Sequence, residues 1–422
     1  MNAAALDADG VFVLLSRFHP QDSPQALEFL HHLLESDSAT RAACGPLLEA
    51  YRSLPDPTVP DLYLTVSRRE ARAHWDAELV GLPLELLAPR IHALVGRVLW
   101  GMAEVLCQKS RAAASRDPQL AGSLADLAIA AAGRAPLVRY ITTSSMREEL
   151  VTAAYAFLAN AHRAADRMTE ARALFARVER LRPASNTLGL RSVIYSLRAS
   201  LEIDERRFEA ALDTIATALV TSDEDPHKGR LFLQRAIIWS YSGEPVQALE
   251  AVEQALALLK DSSGERPYIC ALQHQVDLLS RLGRFEEARD RLPDLRRHVA
   301  ALDSEIDHLR LQWVEARTAA GLGQARESEA LYREVRAGFL RHSLPYSAAV
   351  ATVELARHLF RQGRFSEVAS LAVESAVEFR RQGVEEEVVA TLALLEEATH
   401  GHLTLAAIEQ LLKRVETASI GK

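Results

Sequence analysis

The sequence predicts an all-α protein built as a solenoid of antiparallel helix pairs. Three observations indicate this fold class. First, helix-forming alanine, leucine, arginine and glutamate are abundant, and no sustained alternation of apolar and polar residues marks a β-strand. Second, one short motif recurs at a nearly constant interval between residues 166 and 368. Third, small residues occupy matching places in its copies, as closely packed helices require.

The recurrent motif is clearest in GRFEEA, residues 283–288, and GRFSEV, residues 363–368. Four further stretches align with this pair, namely DRMTEA (166–171), RRFEAA (206–211), GEPVQA (243–248) and GQARES (323–328). The last residues of the six stretches are 40, 37, 40, 40 and 40 residues apart. Six copies at such a period are typical of a helical solenoid, in which each repeat packs mainly on its neighbours.

Each repeat is predicted to contain two helices that approach closely where a small side chain faces a large one. The small residues of the first helices are Ala159, Ala199, Ala236, Ala316 and Ala356, with Val276 in the remaining copy. Those of the second helices are Ala171, Ala211, Ala248, Ala288 and Ser328, with Val368 in the last copy. Glycines that end the first helix and allow a tight turn are Gly243, Gly283, Gly323 and Gly363.

The flanking regions carry a weaker pattern. Residues 1–90 predict a less regular N-terminal helical region, and residues 91–146 predict one degenerate helix pair with its connection. Residues 147–400 then hold the six repeats. Residues 401–422 predict a capping helix and tail, because one apolar stripe is formed by Leu405, Ile408, Leu411, Leu412 and Val415. No basic recognition helix follows a small-residue turn, so a helix-turn-helix DNA-binding head is not expected.

The first copy resembles the tetratricopeptide repeat (TPR). It matches the large, small and proline positions of that motif at Tyr155, Leu158, Ala159, His162, Ala171, Phe175 and Pro183. The resemblance covers about residues 147–385 and implies a right-handed superhelix of helix pairs. The period departs from the usual value of about 34 residues. Long repeats of this kind are similar to those in sensor halves of bacterial transcription regulators, in quorum-peptide receptors and in some eukaryotic cargo adaptors.

Charge and cysteine content limit the class of protein. The 49 basic and 57 acidic residues give a formal net charge of −8, which argues against a surface that binds nucleic acid throughout. Cys44, Cys107 and Cys270 are widely spaced, as is typical of a reducing cytosol rather than a disulfide framework. Neither a secretion signal nor a membrane span is apparent in the pattern. We therefore expect a soluble, cytoplasmic protein.

The sequence contains none of the common catalytic or cofactor-binding motifs that we sought. They are Gly-x-Gly-x-x-Gly, Gly-x-x-x-x-Gly-Lys, Gly-x-Ser-x-Gly and His-Glu-x-x-His. Adjacent His31 and His32 would point about 100° apart on a helix, and no further ligands are evident for the histidines at 400 and 402. Cys270 and His274 share a helix face, but a buried thiol beside a chance histidine is the favoured interpretation. No enzyme activity, cofactor or metal is predicted.

The resemblance implies that the first helix of each repeat lines the inner groove of the superhelix. In the later repeats the family's groove positions fall on basic and aromatic residues, although the chain as a whole is acidic. Arginine binds carboxylates in a bidentate manner, and arginine and tryptophan are frequent binding hot spots. The predicted partner-binding residues are Asn160, Arg163, Arg230, Tyr241, Gln273, Asp277, Arg310, Trp313, Arg317, Arg357, Phe360 and Arg361. Asn160 also matches the asparagine that clamps peptide carboxylates in chaperone-binding members, but without its companion lysines.

Three binding functions remain open at this point. The first is a bacterial, non-enzymatic scaffold or regulator whose groove binds a protein or peptide, which the arginines suggest is acidic or carboxylate-ended. The second is a ligand-responsive or peptide-responsive bacterial regulator that changes the shape of the superhelix. The third and least expected is nucleic-acid binding. Against the groove hypothesis stands the alternative that its arginines pair with acids of neighbouring helices, such as Asp277 and Glu315, and that Trp313 is simple packing.

Overall fold

The computed structural model describes residues 6–181, 183, 186–222, 225–262, 266–302, 304–381, 404 and 406–410. Up to Arg381 the described chain forms twenty α-helices with short 3₁₀ and π-helical turns, and it contains no β-strand. The predicted all-α fold class is therefore confirmed. None of the described helices is both long enough and apolar enough to cross a membrane.

The chain divides into two compact units, Met1–Leu201 and Glu202–Lys422. The finer division predicted at residues 90, 146 and 400 stays a prediction. Short helices open the first unit and longer helices follow. They are α1 (Ala8–Leu15), α2 (Ser23–Ser36), α3 (Ser38–Ala43), α4 (Gly45–Ser53), α5 (Val59–His74), α6 (Leu84–Ala93), α7 (Val98–Ala113), α8 (Pro118–Arg134), α9 (Ser144–Ala164), α10 (Met168–Leu181) and α11 (Arg191–Asp204), whose end falls in the second unit.

In the first unit, α5 and α7 are in direct contact. Helix α5 begins with a capping box, in which Thr58 and Asp61 satisfy each other's backbone amides. Further along α5, the Ser67 hydroxyl donates to the carbonyl of Arg97 at 2.6 Å and accepts from the amide of Gly101 at 2.8 Å. A Cβ at Gly101 would lie 2.4 Å from the Ser67 carbonyl oxygen. The absence of a side chain at Gly101 therefore allows α7 to lie against the backbone of α5.

The second unit consists of helices that pair in the order the repeat predicts. Each first helix packs on the second helix of its own repeat, to which a short turn joins it. The helices are α12 (Phe208–Val220), α13 (Asp225–Ser242), α14 (Pro245–Leu259), α15 (Arg266–Arg281), α16 (Phe285–Val299), α17 (Glu305–Gly321), α18 (Ala325–Arg341), α19 (Pro345–Arg361) and α20 (Phe365–Arg381).

The small residues of the repeat motif are buried, as predicted. In the first helices Ala236 is 2 % exposed, and 0 % is found for Ala159, Ala199, Val276, Ala316 and Ala356. In the second helices 0 % is found for Ala171, Ala211, Ala248, Ala288, Ser328 and Val368. The need for small residues is clearest at Gly321, where a Cβ would lie 2.1 Å from the ring of Phe285. Adjacent helices thus nest where a small residue meets a large one.

The turn between the two helices of a repeat uses a residue with positive φ. Glycine supplies it in the later copies, where φ is 86° at Gly243 and 75° at Gly283. This confirms the predicted role of the turn glycines. The two earlier copies place Asp166 and Arg206 in the same conformation, with φ of 59° and 60°. These L-residues carry the strain that glycine avoids.

Replacing Arg206 with glycine is therefore expected to stabilise the protein by about 0.5–1 kcal/mol. Left-handed backbone costs a non-glycine residue about 1–2 kcal/mol, and the greater freedom of glycine in the unfolded chain offsets part of the gain. Arg206 is exposed, so no packing is lost. Urea unfolding followed by circular dichroism measures the change. Gly243→Ala should shift stability in the opposite direction, and an equal effect of the two changes would contradict this explanation.

At the C-terminal end, Ile408 is fully buried in the core that the last two repeats share. It belongs to the apolar stripe of the predicted capping helix at 401–422. Only residue 404 and residues 406–410 of that segment are described, and 406–410 are helical. The rest of the predicted cap, with Leu405, Leu411, Leu412 and Val415, and the histidines at 400 and 402, lie outside the described residues.

Candidate functional site

The predicted groove residues of the second unit lie on the first helices of consecutive repeats. Arg230 and Tyr241 lie on α13, Gln273 and Asp277 on α15, Arg310, Trp313 and Arg317 on α17, and Arg357, Phe360 and Arg361 on α19. The last residue of α15, Arg281, lies one turn beyond Asp277. We define the first-helix face by Asp277, Arg281, Arg310, Trp313, Arg317, Glu354, Arg357, Phe360 and Arg361.

Arg317 is the central residue of the first-helix face. Its guanidinium pairs with Asp277 of α15 and with Glu354 of α19, where Nε lies 2.7 Å from Oε1. The Glu354 carboxylate also accepts a hydrogen bond of 2.6 Å from the indole N–H of Trp313. The Trp313 ring centroid lies 4.5 Å from Cζ of Arg317, in a cation–π contact. One arginine therefore links three consecutive first helices.

This network is buried and nearly balanced in charge. The side chains of Arg317, Asp277 and Glu354 are 9 %, 14 % and 3 % exposed. Asp277 also pairs with Arg281, whose Nε lies 2.9 Å from Oδ2. Burial alone would raise the pKa of Asp277, but the positive charges of Arg281 and Arg317 outweigh burial and lower this pKa to about 2. Asp277 therefore stays ionised throughout the physiological pH range.

The lowered pKa of Asp277 predicts an acid-sensitive contribution to stability. A carboxyl group whose pKa is lower in the folded chain stabilises the fold above its unfolded pKa, which is about 4. That contribution, on the order of 2 kcal/mol, is lost as the pH falls from about 4 toward 2. The urea midpoint of the wild type should decrease over this window more steeply than that of Asp277→Asn, which cannot titrate. Parallel pH profiles of the two proteins would contradict the assignment.

Polar contacts link α15 and α17 at further points. Asp307 of α17 is 6 % exposed and pairs with Arg266 of α15 at 3.0 Å and with Arg310 at 3.4 Å. The hydroxyl groups of Ser280 and Thr318 lie 3.1 Å apart in a buried hydrogen bond. Buried polar contacts of this kind fix the register of two helices, because a shift would leave them unsatisfied.

Several arginines of the first-helix face remain accessible to solvent. The side chains of Arg281 and Arg310 are 35 % and 42 % exposed. Arg361 is exposed, and Arg357 is half-buried near the Tyr332 hydroxyl. The accessible positive charge of this face thus lies on three consecutive first helices, the same helices that Arg317 links.

The other predicted groove residues of the second unit differ in their burial. Phe360 is half-buried and packs edge to face on Phe365, with ring centroids 5.2 Å apart. On α13, Arg230 is half-buried and Tyr241 is 39 % exposed. Gln273 is half-buried on α15. Each of these side chains is therefore at least partly accessible to solvent.

In the first unit, Asn160 and Arg163 form one local contact. The Asn160 amide oxygen accepts a hydrogen bond of 3.0 Å from Nε of Arg163, and Asn160 is 5 % exposed. A role of Asn160 as a carboxylate clamp stays a prediction. It would require a ligand to reach a buried amide that already has a partner.

Glu354 is missing from the set predicted from the sequence, although it binds both Arg317 and Trp313. Glu354 could have been recognised in the sequence, because it is the one charged residue within the apolar stretch 348–356. A buried acid in such a stretch requires a cationic partner. The sequence alone left open that the groove arginines pair with acids of neighbouring helices. Asp277 does form such a pair, with Arg317. Glu315 instead pairs with Arg296 of α16, at 2.5 Å.

Two features of the described residues bear on metal and thiol chemistry. Within the described ranges, no group of three or more histidine, cysteine or acidic residues is arranged to hold a metal ion. Burial raises the pKa of the thiol groups of Cys44, Cys107 and Cys270. Burial also lowers the pKa of His274 on the same helix as Cys270. These thiols are therefore protonated near neutral pH and are poor nucleophiles.

No protein-family model matches the sequence, and no curated protein matches it significantly. Solved helical repeat structures do resemble it. A Rap protein complexed with competence and sporulation factor has 13 % sequence identity and a TM-score of 0.57, covering 76 % of this chain and 87 % of that one. Aspartyl phosphate phosphatase F from Bacillus subtilis has 10 % sequence identity and a TM-score of 0.49, and the match covers 89 % of this chain and 95 % of that one. A tetratricopeptide repeat protein from Parabacteroides merdae ATCC 43184 has 17 % sequence identity and a TM-score of 0.38, and the match covers 59 % of this chain and 92 % of that one.

The likeness to the Rap protein concerns the fold, because the sequence identity is low. It agrees with the buried small residues, the glycine turns and the order of the helix pairs described above. The chain therefore has a TPR-type helical repeat fold.

Proposed function

We propose that the protein is a non-enzymatic scaffold or regulator that binds a protein or peptide on the first-helix face of its second unit. One arrangement supports this function: three consecutive first helices present accessible arginines around a buried and neutralised Arg317. The buried network holds the helices in register, which reduces the ordering cost of binding. The Rap protein with a similar fold was crystallised with competence and sporulation factor.

The charge of the face favours an acidic or carboxylate-ended partner. The arginines of the face outnumber its nearby carboxylates, although the whole chain carries a formal charge of −8. The arginines are Arg281, Arg310, Arg317, Arg357 and Arg361, and the carboxylates are Asp277, Asp307 and Glu354. Accessible guanidinium groups bind carboxylates in a bidentate manner, and Phe360 adds apolar contact area.

A labelled acidic peptide tests this function directly. The probe is a fluorescein-labelled hexaglutamate with a free C-terminal carboxylate, and its binding is followed by fluorescence anisotropy. The triple variant Arg281→Gln, Arg310→Gln and Arg361→Gln, which removes the three charges without placing a carboxylate beside Asp277 or Asp307, should weaken binding by about tenfold or more, because each accessible arginine contributes a charged contact. Arg317 is left unchanged, since its replacement would disrupt the buried network.

The matched control carries the same change of charge on second helices. Arg289→Gln, Arg297→Gln and Arg326→Gln alter exposed arginines of α16 and α18. This control should weaken binding by less than about threefold at 0.15 M salt, where distant charges are screened. Equal weakening by both triple variants would show that only net charge matters, and would refute the first-helix face as the binding site.

A further inference from the structure

Helix α6 of the first unit lies at the surface and exposes an apolar stripe. Its inner face carries Leu87 and Ile91, which are 3 % and 0 % exposed, and it packs mainly on α8. Its outer face carries Leu86, Pro89 and Ala93, all of which are exposed. We propose that two copies of the chain pair through this stripe, with their α6 helices antiparallel.

The outer stripe is a regular feature of the helix. Leu86, Pro89 and Ala93 are three and four residues apart, a spacing that places them on one side of α6. Leu87 and Ile91 lie on the opposite side, which faces the core. A helix at the surface of a single chain usually carries polar residues along its outer side, whereas a helix that is apolar on both sides is typically covered on both. The stripe therefore indicates a second layer that covers α6.

The chain on either side of α6 is apolar and exposed as well. Val80, which precedes the helix, is 61 % exposed, and Val95, which follows it, is 78 % exposed. Leu86 within the helix is 56 % exposed. Single exposed apolar residues are common, but several within sixteen consecutive positions form a patch whose removal from water favours association. The patch is short compared with interfaces that bury about 1,000 Å² or more, so we expect weak pairing.

An antiparallel arrangement makes the stripe complementary to itself. Pro89 lies near its middle, so a two-fold axis beside Pro89 places Leu86 of each copy opposite Ala93 of the other. A large side chain then meets a small one, as in the helix packing of the repeats. Each such contact occurs twice, as it must in an interface that joins identical surfaces. The stripe therefore fits a second copy of itself.

The charges of α6 favour the same arrangement. Glu85 lies in its first turn, and Arg90 and His92 lie in its last turn, with all three exposed. Arg90 also pairs with Glu78 at 3.8 Å, but the two side chains are 53 % and 55 % exposed, so water screens this pair. Antiparallel pairing brings the acidic turn of each copy beside the basic turn of the other. Parallel pairing would instead place like charges together.

Sedimentation velocity of the full-length protein between about 1 and 200 µM tests the pairing. We expect a reversible monomer–dimer equilibrium with a Kd on the order of 10–100 µM. Leu86→Glu should weaken it by about tenfold or more, because a carboxylate would lie in the apolar contact. Val220→Glu, at a valine of α12 that is 85 % exposed, should change the Kd by less than about twofold.

Two results of this experiment would overturn the proposal. One is a protein that stays monomeric up to about 200 µM, as it would if a different protein or a lipid surface covers α6. The other is equal weakening by Leu86→Glu and Val220→Glu, because net charge or another surface would then account for the association.

An exchange of charges tests the antiparallel register. Glu85→Lys should weaken the dimer by about threefold or more, because it places a positive charge beside the basic turn of the second copy. Adding His92→Glu should restore the Kd to within about twofold of the wild type, since the new lysine and glutamate then face each other. Circular dichroism checks that both variants keep their helical content. A double variant that pairs no more tightly than Glu85→Lys would overturn the antiparallel contact.

Discussion

Replacement of Arg317 by alanine is expected to lower the free energy of unfolding by about 3–5 kcal/mol. The guanidinium is 9 % exposed and pairs with both Asp277 and Glu354. Without it, Glu354 would be a buried carboxylate at 3 % exposure that has lost its cationic partner. Removing one member of a buried ion pair has this large effect because the desolvation of the other charge is no longer compensated. Urea unfolding at pH 7 measures the loss.

The pH dependence of this loss gives a sharper test. A carboxylate left buried without a cation has a raised pKa, so it can take up a proton at moderately acidic pH. The destabilisation by Arg317→Ala should therefore be smaller at pH 5 than at pH 8. Glu354→Gln removes the negative charge itself, and combining it with Arg317→Ala should abolish this difference.

An exposed ion pair in the same unit serves as the control. Arg289 pairs with Glu286 at 2.5 Å, and the two side chains are 56 % and 66 % exposed. Arg289→Ala should cost less than about 1 kcal/mol, because water screens the pair and solvates the remaining carboxylate. A loss for Arg317→Ala as small as that of the control would show that the network does not stabilise the second unit.

Replacement of Gly101 by alanine is expected to destabilise the first unit by about 3 kcal/mol, at the upper end of the range for overpacking. The new Cβ would lie 2.4 Å from the Ser67 carbonyl oxygen and 2.7 Å from Cα of Arg68. These are main-chain atoms of α5, so no side-chain rotation can relieve the overlap. Separation of α5 from α7 would also lengthen the hydrogen bond from the Gly101 amide to the Ser67 hydroxyl, now 2.8 Å.

Gly122, on the neighbouring helix α8, is the matched control. It is buried in the interior of a helix, but a Cβ there would have no heavy atom within 4 Å. Gly122→Ala should therefore stabilise the protein by about 0.5–1 kcal/mol, because alanine is the better helix former. Thermal and urea unfolding of both variants measure the contrast. A similar sign for the two substitutions would rule out close helix packing as the role of Gly101.

The sequence by itself determined the repeat architecture. The buried residues Ala199, Ala316 and Ala356 recur at set places in the motif, and so do the positive-φ glycines such as Gly283. These constraints act within one helix pair or between adjacent helices, and each repeat must satisfy them again. Periodicity therefore reveals them without any knowledge of the tertiary contacts. The sequence also shows Glu354 as an isolated charged residue in an apolar stretch, but it does not identify the residue that pairs with Glu354.

Only the tertiary structure decided which of the predicted site residues are available to a ligand. Arg317 is separated from Asp277 by 40 residues and from Glu354 by 37, yet the three form one buried network. The exposed Arg281 and Arg310 have the same sequence character as Arg317 but a different environment. Ion pairing depends on distances between packed helices, and a repeat pattern fixes the spacing of residues along the chain without fixing those distances.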